Sequence, residues 1–131
     1  RTVVVGKATV QQKKIYNLVL KAQKAGIRKV KAGVDARAVD DTCRRIITKA
    51  GYGKNFGHGT GHGIGFYYNP IHTGPHVGSI SKDKLLANNV ITIEPGVYIS
   101  GWGGVRIEDD IVVTRTGAKV LNRLPKNLLE L

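Results

Sequence analysis

A chain of 131 residues is long enough for one domain with a true core and too short for two ordinary ones. Its 41% hydrophobic content is that of a globular protein, and no apolar run approaches the roughly 20 residues that a membrane-spanning helix needs. The net charge of +12 is uneven, with 14 Lys and Arg against 3 Asp in residues 1–54, and 7 against 6 acidic residues in 55–131. These cations are spread around helical patterns with no interleaved aromatics, so they read as a solvated basic face and not as a nucleic-acid site.

Val3 to Val5 is a short apolar run closed by Gly6, the expected end of a strand. The stretch Arg1 to Gly6 is too short for a signal peptide and leads into a lysine-rich helix pattern, which makes a cytoplasmic location the expectation. The chain opens on Arg1 and contains no Met, as a processed or truncated piece would. From Thr9 to about Lys31, Ile15, Leu18, Val19, Ala22 and Ala25 recur at helical spacing, with Gly33 as the stop. Asp35 is placed to cap a second helix through its carboxylate. Val39, Cys43, Ile46, Ile47 and Ala50 then form a single stripe ending at Gly51. The lone Cys43 lies on that stripe and reads as a packed small hydrophobe, in keeping with a reducing compartment.

Beyond Gly51 the texture changes. Gly57, Gly59, Gly61, Gly63 and Gly65 occupy alternate positions, which excludes a stable helix and permits close backbone approach. Val90 to Glu94 alternates as a strand that Pro95 and Gly96 turn. A loose glycine connection leads into an expected strand over Val105 to Thr114, and Thr116 and Gly117 mark a hairpin before Lys119 to Leu121. Helices first and antiparallel strands afterwards make an α+β order.

His58 and His62 lie four apart in FGHGTGHGIG; on extended backbone they point to one side, about 13 Å apart. Glu94 ends an apolar strand, where an unpaired carboxylate is costly. In GVRIEDD, Arg106, Glu108 and Asp110 share one face, and Arg106 is placed to hold Glu108 or Glu94. Taken singly these are a polar glycine loop and a surface charge pair. Together they form an imidazole and carboxylate set that suits Mn, Co, Fe or Zn in hydrolysis.

HGTGHGIG, TIEPGVY and GVRIEDDIVVT resemble the successive signature blocks of the pita-bread metallopeptidases, the family of aminopeptidase P, prolidase and methionine aminopeptidase. The VRIED form is similar to that of the proline-specific members. The resemblance implies a partial pita-bread (creatinase/aminopeptidase-like) fold, with residues 1–131 forming the C-terminal portion of the catalytic domain. It makes His62, Glu94 and Glu108 metal ligands for two divalent ions, manganese first, with cobalt or zinc as alternatives. His58 then contacts substrate, Glu94 shuttles the proton, and Arg106 supports the ligands. A further substrate histidine of the family matches His72, in His72-Thr73-Gly74-Pro75, with Asn69 as the fallback and His76 left on the surface. Two family aspartates, from a strand just upstream, have no counterpart in this chain, since Asp35, Asp40 and Asp41 fall in the helical segment. The implied activity is hydrolysis of the bond preceding proline, on a peptide with proline at its second position, by a homodimer; this truncated chain alone is expected to be weakly active or inactive. The alternative from another class is a non-catalytic relative that binds nucleic acid or an acidic protein through its basic half.

Overall fold

The computed structural model describes residues 1–65 and 74–131. Helix α1 runs Val10–Lys29, and Thr9 starts it with a capping box: its side chain accepts from the Gln12 amide while the Gln12 side chain accepts from the Thr9 amide. The helix passes through Gly26 without a break, and that glycine is where the second helix approaches. A Cβ there would lie 2.5 Å from Cys43 Sγ.

Helix α2 covers Ala36–Lys49. Asp35 occupies the N-cap position, as expected, but its side chain makes no capping bond. The carboxylate instead lies 3.9 Å from Lys84 Nζ, and Ala36 N donates to the Asp83 carbonyl. The C-terminus closes as a Schellman turn, with Gly51 at φ +89°, its amide donating to Thr48 O and that of Tyr52 to Ile47 O. Val39, Cys43 and Ile47 are fully buried, whereas Ile46 is half-buried and Ala50 exposed. Removing a side chain such as Ile47 from this stripe costs about 2–5 kcal/mol.

A 3₁₀ turn at Gly53–Asn55 leads into the glycine segment, where β1 (Gly61–His62) pairs antiparallel with β2 (His76–Val77). Strand β3 (Val90–Ile93) then pairs with β6 (Asp109–Val113), which in turn pairs with β7 (Ala118–Val120). Strands β4 (Gly96–Ile99) and β5 (Gly103–Arg106) form a separate hairpin. The Val3–Val5 run is not a strand: Val4 alone makes a parallel bridge to Glu130, and Val5 is exposed.

The single strand expected over Val105–Thr114 is two strands of two different sheets. The alternation of burial nevertheless continues through the break, with Val105, Ile107, Asp109, Ile111 and Val113 all inward. One apolar cluster, with Ile15, Val19, Ile47, Val97 and Ile107, joins the helices to the β4–β5 hairpin. A second, with Val30, Val39, Ile91, Ile93 and Ile111, joins them to β3 and β6. The helices thus cover one face of the strands in an α+β arrangement.

Candidate metal and substrate site

The glycine segment lies along β3. Glu94 N donates to Thr60 O at 2.7 Å, Ile64 N to Val90 O at 2.7 Å, and Gly63 bridges Ile91. This closeness explains one of the alternating glycines: a Cβ on Gly61 would stand 1.9 Å from Thr92 O. The docking brings His62 to Glu94. His62 N donates to Thr92 Oγ1 at 3.0 Å, and that hydroxyl donates to Glu94 Oε1 at 2.9 Å.

The ring of His62 is oriented by its own neighbour. Nδ1 lies 2.9 Å from the Gly63 carbonyl, which can only accept, so Nδ1 carries a proton and, in the neutral ring, Nε2 presents its lone pair. That Nε2 stands 3.4 Å from Glu94 Oε1. Two acceptors facing each other can be joined by a proton on the ring or by a metal ion. Glu94 is nearly buried, at 8% exposure, and an anion held there needs a positive partner.

Arg106 supplies part of that charge, with Nη1 3.5 Å from Glu94 Oε2. Of the two partners expected for it, Glu94 is the one it reaches. The guanidinium also donates through Nε to Tyr98 Oη at 2.6 Å and lies 3.3 Å from His58 Nε2 through Nη2. His58 is half-buried, its Nδ1 donating to Gly59 O at 2.7 Å and its Nε2 accepting from Tyr98 Oη at 2.9 Å. Its ring meets Phe56 edge-on, with centroids 5.2 Å apart. His58, Tyr98, Arg106, Glu94 and His62 therefore form one continuous polar line.

Glu108 lies in the break between β5 and β6. Its carboxyl is raised above the ordinary carboxylate range by burial first, then by the negative charges of Glu94 and Asp110. Yet among the described residues no group of three or more His, Cys, Asp or Glu side chains is gathered closely enough to hold a metal ion. The expected trio of His62, Glu94 and Glu108 is thus realised as a His62–Glu94 pair with Glu108 electrostatically coupled beside it. Arg106 stands 3.5 Å from the second oxygen of Glu94, and Glu108 lies where the chain passes from one sheet to another. In kind, an imidazole with crowded carboxylates fits a divalent cation; in number the set is incomplete.

His72 and Asn69 lie outside the described residues. His76, assigned to the surface, is exposed, but it stands opposite His62 in the β1–β2 register. Sequence reasoning also passed over Tyr98, although it ends the TIEPGVY block, and it missed Asp40 and Arg44. Asp40 is fully buried on α2, accepting from Thr60 N and Oγ1 and paired with Arg44, whose other donors reach the carbonyls of Phe56 and His58. A groove of about 670 Å³ on the helical surface, lined by Lys29, Arg44, Arg45 and Lys49 among others, meets this system at Arg44 but includes neither histidine.

The sequence model of metallopeptidase family M24 matches residues 1–115, the N-terminal and greater part of this chain, leaving its C-terminal end outside the match. The chain belongs to metallopeptidase family M24. Among M24 relatives, it is 43% identical over 129 residues to an Xaa-Pro dipeptidase of Pyrococcus horikoshii, a match covering 98% of this chain and 36% of that protein. Among solved structures, it is similar to an Xaa-Pro dipeptidase from Bacillus anthracis, with a TM-score of 0.94 and 47% identity, over 100% of this chain and 36% of the other. An X-Pro aminopeptidase from Thermotoga maritima is similar at a TM-score of 0.93 and 37% identity, again over 100% and 36%. The fold is therefore that of the M24 proline peptidases, and the chain spans about a third of the length of the curated relatives it matches. Metal dependence belongs to the family as such.

Proposed function

We propose that this chain carries one wall of the active site of a metal-dependent peptidase that hydrolyses the bond preceding proline. The observation that carries the reading is the His62–Glu94 pair, in which a ring fixed with Nδ1 protonated turns its Nε2 toward a nearly buried carboxylate at 3.4 Å. The names of the relatives support the substrate class.

His62 and Glu94 would hold one divalent ion, with Glu108 beside them; the further ligands of a two-ion centre would come from chain outside these 131 residues. When bound, such an ion lowers the pKa of coordinated water toward neutrality and polarises a carbonyl. The chain's own residues do the rest. Glu94, with Oε1 turned toward His62 and fixed by Thr92 and with Oε2 held by Arg106, is the carboxylate this reading assigns to proton transfer. His58, with Nε2 braced by Tyr98 and Arg106, positions substrate at the other end of the polar line. Phe56 and Tyr98 pack against the His58 ring.

Manganese and a homodimer are the finer readings attached to this proposal. The test is metal-dependent cleavage of Gly-Pro by the full-length protein, compared with Gly-Ala and run with Mn, Co and Zn in turn. Metal-dependent cleavage confined to the proline peptide supports the reading. No cleavage and no metal uptake would favour the non-catalytic binding module.

A further inference from the structure

We propose that Asp40 and Arg44 are positioning residues: together they clamp the glycine segment so that His58 holds a single tautomer and Glu94 stays in line with His62. The catalytic consequence of this clamp rests on the function proposed above; its structural consequence does not.

Asp40 is fully buried, and its carboxylate is saturated. Oδ1 accepts from Thr60 N and Thr60 Oγ1, each at 2.9 Å, and from Arg44 Nη2 at 3.1 Å, while Oδ2 accepts from Arg44 Nε at 2.8 Å. The same guanidinium then donates from Nη1 to Phe56 O at 2.9 Å and from Nη2 to His58 O at 2.8 Å, with its plane 4.3 Å over the Phe56 ring. One ion pair on α2 thus fixes the backbone before, at and after His58.

Two consequences follow from the atoms so fixed. The peptide between His58 and Thr60 is held at both ends, which sets the direction of the Gly59 carbonyl, and that carbonyl is what keeps the proton on His58 Nδ1. Nε2 is thereby left to accept from Tyr98. On the other side, Thr60 O accepts from Glu94 N at 2.7 Å, so the amide that precedes the Glu94 side chain is located from the same buried carboxylate. A backbone segment with a glycine at every second position has little stiffness of its own. Burying an ion pair brings little net stability, since desolvation offsets the attraction. Its geometric effect on the loop is the gain that remains.

The experiment uses the full-length protein labelled with ¹⁵N at histidine, comparing wild type, Arg44→Lys, Arg44→Ala and Asp40→Asn. The imidazole ¹⁵N shifts report the His58 tautomer, thermal melting reports stability, and proline-peptide kinetics report function. Wild type is expected to show one His58 tautomer with Nδ1 protonated. Arg44→Ala and Asp40→Asn are expected to show averaged shifts for His58, with kcat lower by about 10²-fold and KM changed by less than about threefold. Added guanidinium is expected to restore the single tautomer and much of kcat in Arg44→Ala, since the vacated site opens onto the surface groove. Arg44→Lys keeps the charge beside Asp40 but not the fork, so it is expected to fold and still show mixed tautomers. A lower melting temperature with the His58 tautomer unchanged in every variant would overturn the proposal and leave a purely structural pair. If wild type fails to cleave proline peptides, the functional reading fails while the ¹⁵N shifts still decide the clamp.

Discussion

Gly61→Ala is the most demanding single test of how the glycine segment meets the sheet. A Cβ there would stand 1.9 Å from Thr92 O, 2.7 Å from Thr92 C and 2.9 Å from Thr92 Oγ1, while ordinary contact begins at 3.4 Å. The nearest atoms are backbone, so the strands must part by about 1.5 Å, the gap between those two distances. A parting of that size carries the Glu94 N to Thr60 O bond, now 2.7 Å, and the His62 N to Thr92 Oγ1 bond, now 3.0 Å, beyond hydrogen-bond range. Losing two bonds at about 1 kcal/mol each, with one buried group left unpaired, gives a cost of about 3–4 kcal/mol. Displacing His62 from Glu94 by about an ångström should also lower peptidase turnover by about 10²-fold. Urea unfolding supplies the stability change and metal-dependent cleavage the functional one. The control is Gly57→Ala, where an added Cβ meets nothing within 4 Å, so the change should stay within about 0.5 kcal/mol. A Gly61→Ala variant as stable and as active as Gly57→Ala would refute the reasoning.

Gly26→Ala should destabilise, because about 1 kcal/mol of helix propensity is outweighed by a Cβ placed 2.5 Å from Cys43 Sγ. In a Cys43→Ala background the same change should stabilise, and a double-mutant cycle by denaturant unfolding reads the change of sign. Burial pushes the Cys43 thiol up to about 12, so iodoacetamide at about pH 8 should label it only when the chain unfolds, as mass spectrometry would show. Asp109 is pushed up by burial but pulled further down by Lys126, Arg1 and Gln23, so its folded pKa lies below its ordinary 3.8. Its contribution to stability is therefore present above the unfolded value and lost as pH falls through the folded one. Asp109→Asn should cost about 3 kcal/mol near neutrality and flatten the loss of urea stability on acidification, measured by unfolding midpoints from about pH 6 downward.

Much of the architecture was legible because it rests on local rules. The start of α1 near Thr9, the stripe on α2, the glycine after it and the hairpin at Thr116 and Gly117 each follow from short-range periodicity or turn chemistry. The break between β5 and β6 was not legible, since Val105 to Val113 keeps a period of two throughout and only the partner strands change. In the site, His62, Glu94 and Glu108 were expected together with Arg106 beside them, because their blocks coincide in one chain; the structure brings His62 and Arg106 to Glu94. Asp40 and Arg44 were not, because an acid four residues before an arginine on a helix looks the same whether it faces water or carries a loop. Tyr98 escaped for a similar reason: an aromatic in a strand reads as packing until its hydroxyl is placed between Arg106 and His58. Asp35 shows the reverse case, a cap predicted from residue type whose carboxylate turns instead toward Lys84.

The most direct test of the site is calorimetric titration of Mn(II) into the full-length protein, comparing wild type with His62→Ala, Glu94→Gln and Glu108→Gln. If His62 and Glu94 hold the ion with Glu108 beside them, each substitution weakens binding at least about tenfold. Equal affinity in all four proteins would contradict the assignment.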